Sequence, residues 1–253
     1  MLEISIRAEK IFSILGFPVT NTLLMGWLVV LALSSVSVIF LRRPRLVPAG
    51  AQNVLEAAIE GVFGLVEGVF GSRSKAEKYF PFVATIFLFI LASNWFGILP
   101  LLGSMGIFEQ GLPAQAGHEG QEVFVPLFRS TASDINFTLA LAIISVVATQ
   151  LLGIAAIGFV KHAGKYISFK GPIQFFVGIL EIVSEVAKMI SFSFRLFGNI
   201  FAGEVLLIII GFLAPYVVPA PFLMLEIFVG FIQALVFAML TLVFISIATV
   251  EHH

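Results

Sequence analysis

Apolar residues along this chain do not alternate every second position or every third and fourth. They come in long unbroken runs, separated by short polar breaks. A bilayer core about 30 Å thick needs roughly 20 apolar residues in a spanning helix, and five runs meet that length. Thr22 to Leu41 is the first, closed by Arg42, Arg43, Pro44 and Arg45. Phe80 to Leu102 is the second, with Trp95 and Pro100 near its far end, as suits an interfacial finish. Ile135 to Val160 is the third, with Asp134 at its entry. Ile173 to Leu213 and Phe222 to Val250 close the chain, joined by APYVVPAP, whose prolines at 215, 219 and 221 break the helix. The 41 residues of the fourth run make about 60 Å of helix at ~1.5 Å per residue, so that helix must tilt steeply or kink.

Two segments follow other patterns. Residues 48–72 carry Glu56, Glu60 and Glu67, with Val54, Ile59, Val62, Phe63, Val66 and Phe70 mostly opposite. That periodicity predicts an amphipathic helix lying on a membrane surface or a partner. Residues 103–133 are polar and Gly-rich, hold Glu109, His118, Glu119, Glu122 and Arg129, and are read as a loop with room for a short re-entrant piece. The expected fold is therefore an all-α integral membrane protein with one membrane domain over 1–253. It has five crossing helices (22–41, 80–102, 135–160, 173–213, 222–250) and one amphipathic surface helix (48–72). The last two helices form a long hairpin. The start, MLEISIRAEK, does not read as a cleaved signal peptide, because Glu3 and Glu9 spoil a basic leader.

Composition sharpens this reading. Hydrophobic residues make up 59% of 253 and charged residues 11%, against about 25% in soluble domains. Mean hydropathy is +1.08. Fourteen scattered basic residues make no nucleic-acid surface. The absence of cysteine excludes disulfides, thiolate metal sites and thiol nucleophiles. No halves mirror each other as inverted-repeat transporters do. With the N-terminus outside, the inner segments hold Arg42, Arg43, Arg45, Arg73, Lys75, Lys78, Lys161, Lys165 and Lys170, and the outer ones hold Arg7, Lys10 and Arg129. The positive-inside rule then places the C-terminus in the cytoplasm.

The remaining two basic residues, Lys188 and Arg195, lie within the fourth run, with Glu181, Glu185 and Glu204. At about 100° per residue, Glu181, Ser184, Glu185, Lys188, Ser191, Arg195 and Asn199 share a stripe about 120° wide, and Glu204 is turned about 140° away. Glu181, Glu185 and Lys188 fit an ion-paired interfacial patch as well as a functional one. Arg195 sits among Phe192, Phe194, Leu196 and Phe197, where an arginine costs at least about 2.5–3.5 kcal/mol and marks function. Glu204 has no cation one turn away on its own helix, so it meets a partner elsewhere, meets water, or carries a proton. Glu226 and Gln233 repeat the theme on the last helix, and the proline turn can bring Glu226 to Glu204. Acids open to opposite sides make two half-pathways for a proton. An always-charged arginine between them blocks leakage and attracts a carboxylate on another, moving subunit.

At this point the residues carry a resemblance. SFSFRLFGNIFAGE (191–204) closely resembles the core motif of the subunit a family of F-type ATP synthases. So do Asn53 within PAGAQNVLE, SNWFGILP (93–100), the Ser133–Thr138 segment SDINFT and IQALVFAMLTLVFI (232–245), all in family order. The resemblance implies a stator subunit in the bacterial plasma membrane. It does no bond chemistry and needs no metal or cofactor. Protons are its default cargo, with sodium in some relatives. Its implied partners are a ring of rotor c subunits, peripheral-stalk b subunits, the catalytic head and lipid. The resemblance assigns Arg195 to the rotor-facing cation. Asn199, Glu204, Glu226 and Gln233, with Asp134 and Asn136, go to the outer half-channel. Glu181, with Ser184, Glu185, Lys188 and Ser191, goes to the inner one. Many family members pair a histidine with a glutamate where this chain has Glu204 and Glu226. A self-contained proton-coupled transporter is the alternative reading.

Overall fold

The computed structural model describes residues 8–14, 16–41, 50–99, 102, 104–110, 122–164, 166, 171–215 and 217–249. The chain is helical at every predicted span. The helices are α1 (Asn21–Leu41), α2 (Ala51–Phe70), α3 (Arg73–Ile98), α4 (Ile135–Ile157), α5 (Phe159–Ala163), α6 (Pro172–Leu213) and α7 (Pro219–Thr249). Five of them, α1, α3, α4, α6 and α7, are long and apolar enough to cross a membrane among the described residues. The basic residues Arg7, Arg42, Arg43, Arg45, Lys165 and Lys170 lie outside the described residues, as do His118 and Glu119.

Four boundaries differ from the sequence reading, each for a physical reason. Helix α3 starts at Arg73 rather than at residue 80, because RSKAEKY is helix-forming, though polar. Pro81 is tolerated inside it, and Thr85 Oγ1 donates to the Pro81 carbonyl at 2.7 Å. Helix α4 stops at Ile157, short of 160, where Gly158 takes φ 86°, ψ 152°, a conformation essentially confined to glycine. Helix α7 begins at Pro219 rather than 222: prolines 219 and 221 occupy its first turn, where the backbone N–H groups have no helical partner to lose. The segment 103–133, read as a loop, holds a β-hairpin of β3 (Gly106–Gln110) and β4 (Glu122–Pro126), then a 3-10 turn at Thr131–Ser133. A second hairpin, β1 (Lys10–Ile14) with β2 (Phe17–Thr20), precedes α1.

The chain divides into two compact units. One comprises Met1–Ser37, Phe89–Asp134 and Phe197–Phe231; the other comprises Val38–Leu88, Ile135–Leu196 and Ile232–His253. In the first, polar side chains fix the start of α1. Thr20 Oγ1 caps the helix by accepting from the Leu23 N–H at 3.3 Å. Asn21 Nδ2 donates to the Pro126 carbonyl at 3.4 Å, and Thr22 Oγ1 donates to Asp134 Oδ2 at 3.1 Å. Asn94 Nδ2 donates to the Gly230 carbonyl at 3.0 Å and Trp95 Nε1 to the Ile227 carbonyl at 3.1 Å, which locks α3 to the start of α7. Gly230 allows this approach: a Cβ there would sit 3.1 Å from Asn94 Cβ.

In the second unit, α2 is the predicted amphipathic helix. It ends at Gly71 in the left-handed conformation, with the Gly71 N–H donating to the Glu67 carbonyl. Phe63 packs edge-on against Phe80, and Phe70 stacks on Tyr79. Buried hydroxyls join the spans: Ser145 to Thr241 at 2.7 Å and Thr138 to Ser193 at 3.0 Å. Phe192 fills the space between Phe237 and Phe244.

Candidate functional site

The site in the first unit is assembled from two spanning helices and the chain leading into a third. Helix α6 supplies Glu204, α7 supplies Glu226, and the segment between β4 and α4 supplies Arg129. All three line a cavity of about 280 Å³ shared with Asn94, Gly97, Ser130 and Ile200. Arg129 grips Glu204 with two hydrogen bonds, Nε to Oε1 at 2.9 Å and Nη2 to Oε2 at 3.3 Å. The Arg129 side chain is 10% exposed and that of Glu204 28%. A planar guanidinium facing a carboxylate in this two-point geometry forms a strong, oriented pair. Glu226 is 7% exposed. Its carboxylate lies against the backbone of Gly203, so close that a Cβ at 203 would collide with it. Two cavity-lining side chains are almost fully buried and keep a polar atom with no partner among the described residues: Asn94 through Oδ1 and Ser130 through Oγ.

The proline turn thus brings Glu204 and Glu226 to one cavity, as the sequence suggested. The partner of Glu204 is Arg129, 75 residues away. Sequence reasoning used Arg129 only to orient the chain and left Ser130 out. Asn94 entered only inside the SNWFGILP motif. Nothing local marks Arg129, because its importance depends on a contact distant in sequence. The other residues expected in the outer pathway do not line this cavity: Asn199 and Asn136 are exposed, Gln233 is half-buried, and Asp134 is buried as the acceptor of Thr22.

On α6 within the second unit, Ser184, Ser191 and Arg195 are exposed and Glu181, Glu185 and Lys188 are half-buried. Lys188 Nζ pairs with Glu185 Oε1 at 2.7 Å and lies 4.6 Å from the centre of the Phe244 ring. Glu185 and Lys188 are therefore ion-paired to each other. Beside it, Gln150 Oε1 accepts two hydrogen bonds, from Tyr166 Oη at 2.8 Å and from His162 Nε2 at 2.7 Å. An amide oxygen only accepts, so Nε2 carries the imidazole proton. Burial, and then the nearby Glu185 and Glu181 carboxylates, push the Tyr166 phenol up to about 12.

Five helices long and apolar enough to cross a membrane, with charged side chains inside them and two carboxylates lining one cavity, define a multi-pass helical membrane protein. The chain belongs to the ATP synthase A chain family, whose model matches residues 23–246. It is similar to ATP synthase subunit a of Campylobacter jejuni strain 81-176, at 37% identity over 226 residues, covering 88% of this chain and 87% of that protein. It is also similar to ATP synthase subunit a 1 of Pelobacter propionicus and ATP synthase subunit a of Geobacter sulfurreducens. Each of these is 33% identical over 229 residues, covering 90% of this chain and 86% of the relative.

Proposed function

We propose that this chain is the stator subunit that carries protons across the bacterial plasma membrane in an F-type ATP synthase. Protons enter from outside through the Glu204–Glu226 cavity and pass to a carboxylate on a ring of rotor c subunits. They ride the ring and leave to the cytoplasm past Glu181, Ser184, Glu185 and Ser191. Arg195 faces the ring and stays charged at every accessible pH, so it attracts the rotor carboxylate and blocks direct leakage. Asn199, Gln233, Asp134 and Asn136 extend the outer water-accessible region. The chain makes and breaks no covalent bonds. ATP chemistry belongs to the catalytic head, to which peripheral-stalk b subunits tie this stator.

One observation carries this reading. Helix α6 carries an exposed Arg195, and its Glu204 lines a cavity with Arg129 and Glu226. A mid-membrane arginine costs at least about 2.5–3.5 kcal/mol and persists where it works. Arg195→Ala is expected to abolish proton-driven ATP synthesis in membrane vesicles while the assembled complex remains. Synthesis at the unmodified rate in that variant would refute the mechanism.

A further inference from the structure

The cavity holds three charged side chains: one cation, Arg129, and two carboxylates, Glu204 and Glu226. The rest of its lining is uncharged. We infer that the two carboxylates divide the work, Arg129 fixing Glu204 as a permanently paired anion and leaving Glu226 as the group that takes the proton from the outside water. This rests on the proton-path reading above.

The geometry separates the two acids. Both oxygens of Glu204 accept from one guanidinium, at 2.9 and 3.3 Å. A proton arriving there must break a charge-assisted pair that is nine-tenths buried on the arginine side. Glu226 has no cation within ion-pair distance among the described residues. It is nonetheless the more buried of the two. Its carboxylate occupies the slot left by the missing side chain of Gly203 and faces the cavity. The polar atoms with no partner among the described residues, Asn94 Oδ1 and Ser130 Oγ, line the same cavity, whose volume accommodates more than one water. A proton reaching the cavity therefore finds one carboxylate already engaged and one open to exchange. Arg129 is thus a positioning residue. It offsets one of the two negative charges and so keeps a pair of glutamates from competing for the same proton.

The test uses the whole synthase in membrane vesicles, with synthesis rate recorded against the pH of the outside-facing compartment. Glu204→Gln leaves the Arg129 charge without its partner on the proton path. It is expected to slow synthesis by about 100-fold, because a buried cation that has lost its carboxylate opposes the arriving proton. Adding Arg129→Gln to that variant removes the charge that has lost its carboxylate and is expected to recover most of the loss, with the outside-pH dependence of the unmodified enzyme retained. Glu226→Gln is expected to slow synthesis as severely. It is not recovered by Arg129→Gln, and its residual rate no longer follows outside pH. The inference is overturned if Arg129→Gln rescues Glu226→Gln rather than Glu204→Gln, or rescues neither. If Arg129→Gln does not assemble, Arg129→Met with Glu204→Gln places two neutral chains in the same volume and carries the same expectation and the same refutation. Arg195→Ala in the same series separates the two levels. Full synthesis in that variant removes the proton path itself. Its loss, together with failed rescue, removes only the division of labour.

Discussion

A methyl group at position 203 would land on the Glu226 carboxylate, and one at position 97 would land on Ser130. The two collisions differ in kind. At 203 the obstructing atoms are the far end of a flexible side chain, which can swing aside. At 97 they include Ser130 Cβ at 2.5 Å and its backbone Cα at 3.0 Å, which cannot move without the chain. Gly203→Ala is therefore expected to lower proton-driven ATP synthesis with little change in the thermal stability of the assembled complex. Gly97→Ala is expected to cost about 1–3 kcal/mol, the range for overpacking a close contact, and to show as a lower melting temperature. Rate and melting measurements on the two variants side by side check this. A large stability loss at 203 with none at 97 would contradict the packing described. The same scale explains what was legible among residues. Arg195 and Glu204 stand out because a charge inside an apolar run is costly wherever the run folds. Arg129 does not stand out, because it sits in a polar segment where charges are ordinary. Its value appears only when a residue 75 positions away closes onto it.

Elements follow the same logic. The spanning helices were readable because twenty consecutive apolar residues have few alternatives in lipid, where every backbone polar group must be satisfied within the segment. The hairpins were not readable. Strands of four or five residues inside polar, Gly-containing segments carry too little alternation to announce themselves, and the N-terminal pair also contains a register shift. Nor was the start of α3, whose first turns are charged and whose Pro81 reads as a boundary. The short connection after α4 is another such case. Gly158 turns the chain into α5, whose His162 docks on Gln150 beside Tyr166. Burial, and then the Glu185 and Glu181 carboxylates, hold Tyr166 neutral past its ordinary value of 10.0, up to about 12. The folded connection favours the protonated phenol, so its contribution is complete below pH 10 and declines as pH rises towards 12, because the unfolded chain ionises first. An absorbance titration of the phenols should therefore lose a component near pH 12 in Tyr166→Phe. Alkaline loosening of this connection, followed by hydrogen exchange, should become less steep between pH 10 and 12. An unchanged titration curve would contradict the burial of Tyr166.

At the scale of the whole molecule, an odd number of crossings is expected to leave the two termini on opposite sides, and the positive-inside rule predicts which side is which. The structure alters that argument in one respect. Arg129 was counted among the basic residues of the outer segments, yet its side chain is 10% exposed and committed to Glu204. A side chain committed to an ion pair inside the protein says little about where loops are retained, so it leaves the tally. The proposed outer group then keeps Arg7 and Lys10, against a proposed inner group that includes Arg73, Lys75, Lys78 and Lys161. Arg73 keeps its place in that group, since it sits at the exposed start of α3, bonded one turn along to Glu77 at 3.2 Å. The bias towards an outside N-terminus and a cytoplasmic C-terminus is sharper for the change. The chain contains no cysteine, so single cysteines report position without background. Ser13, in β1, and Lys161, in α5, are both exposed and lie on opposite sides in this orientation. Ser13→Cys is expected to react with a membrane-impermeant maleimide in intact spheroplasts, and Lys161→Cys only after the membrane is opened. The reverse pattern would invert the orientation and with it the direction in which protons reach Glu226.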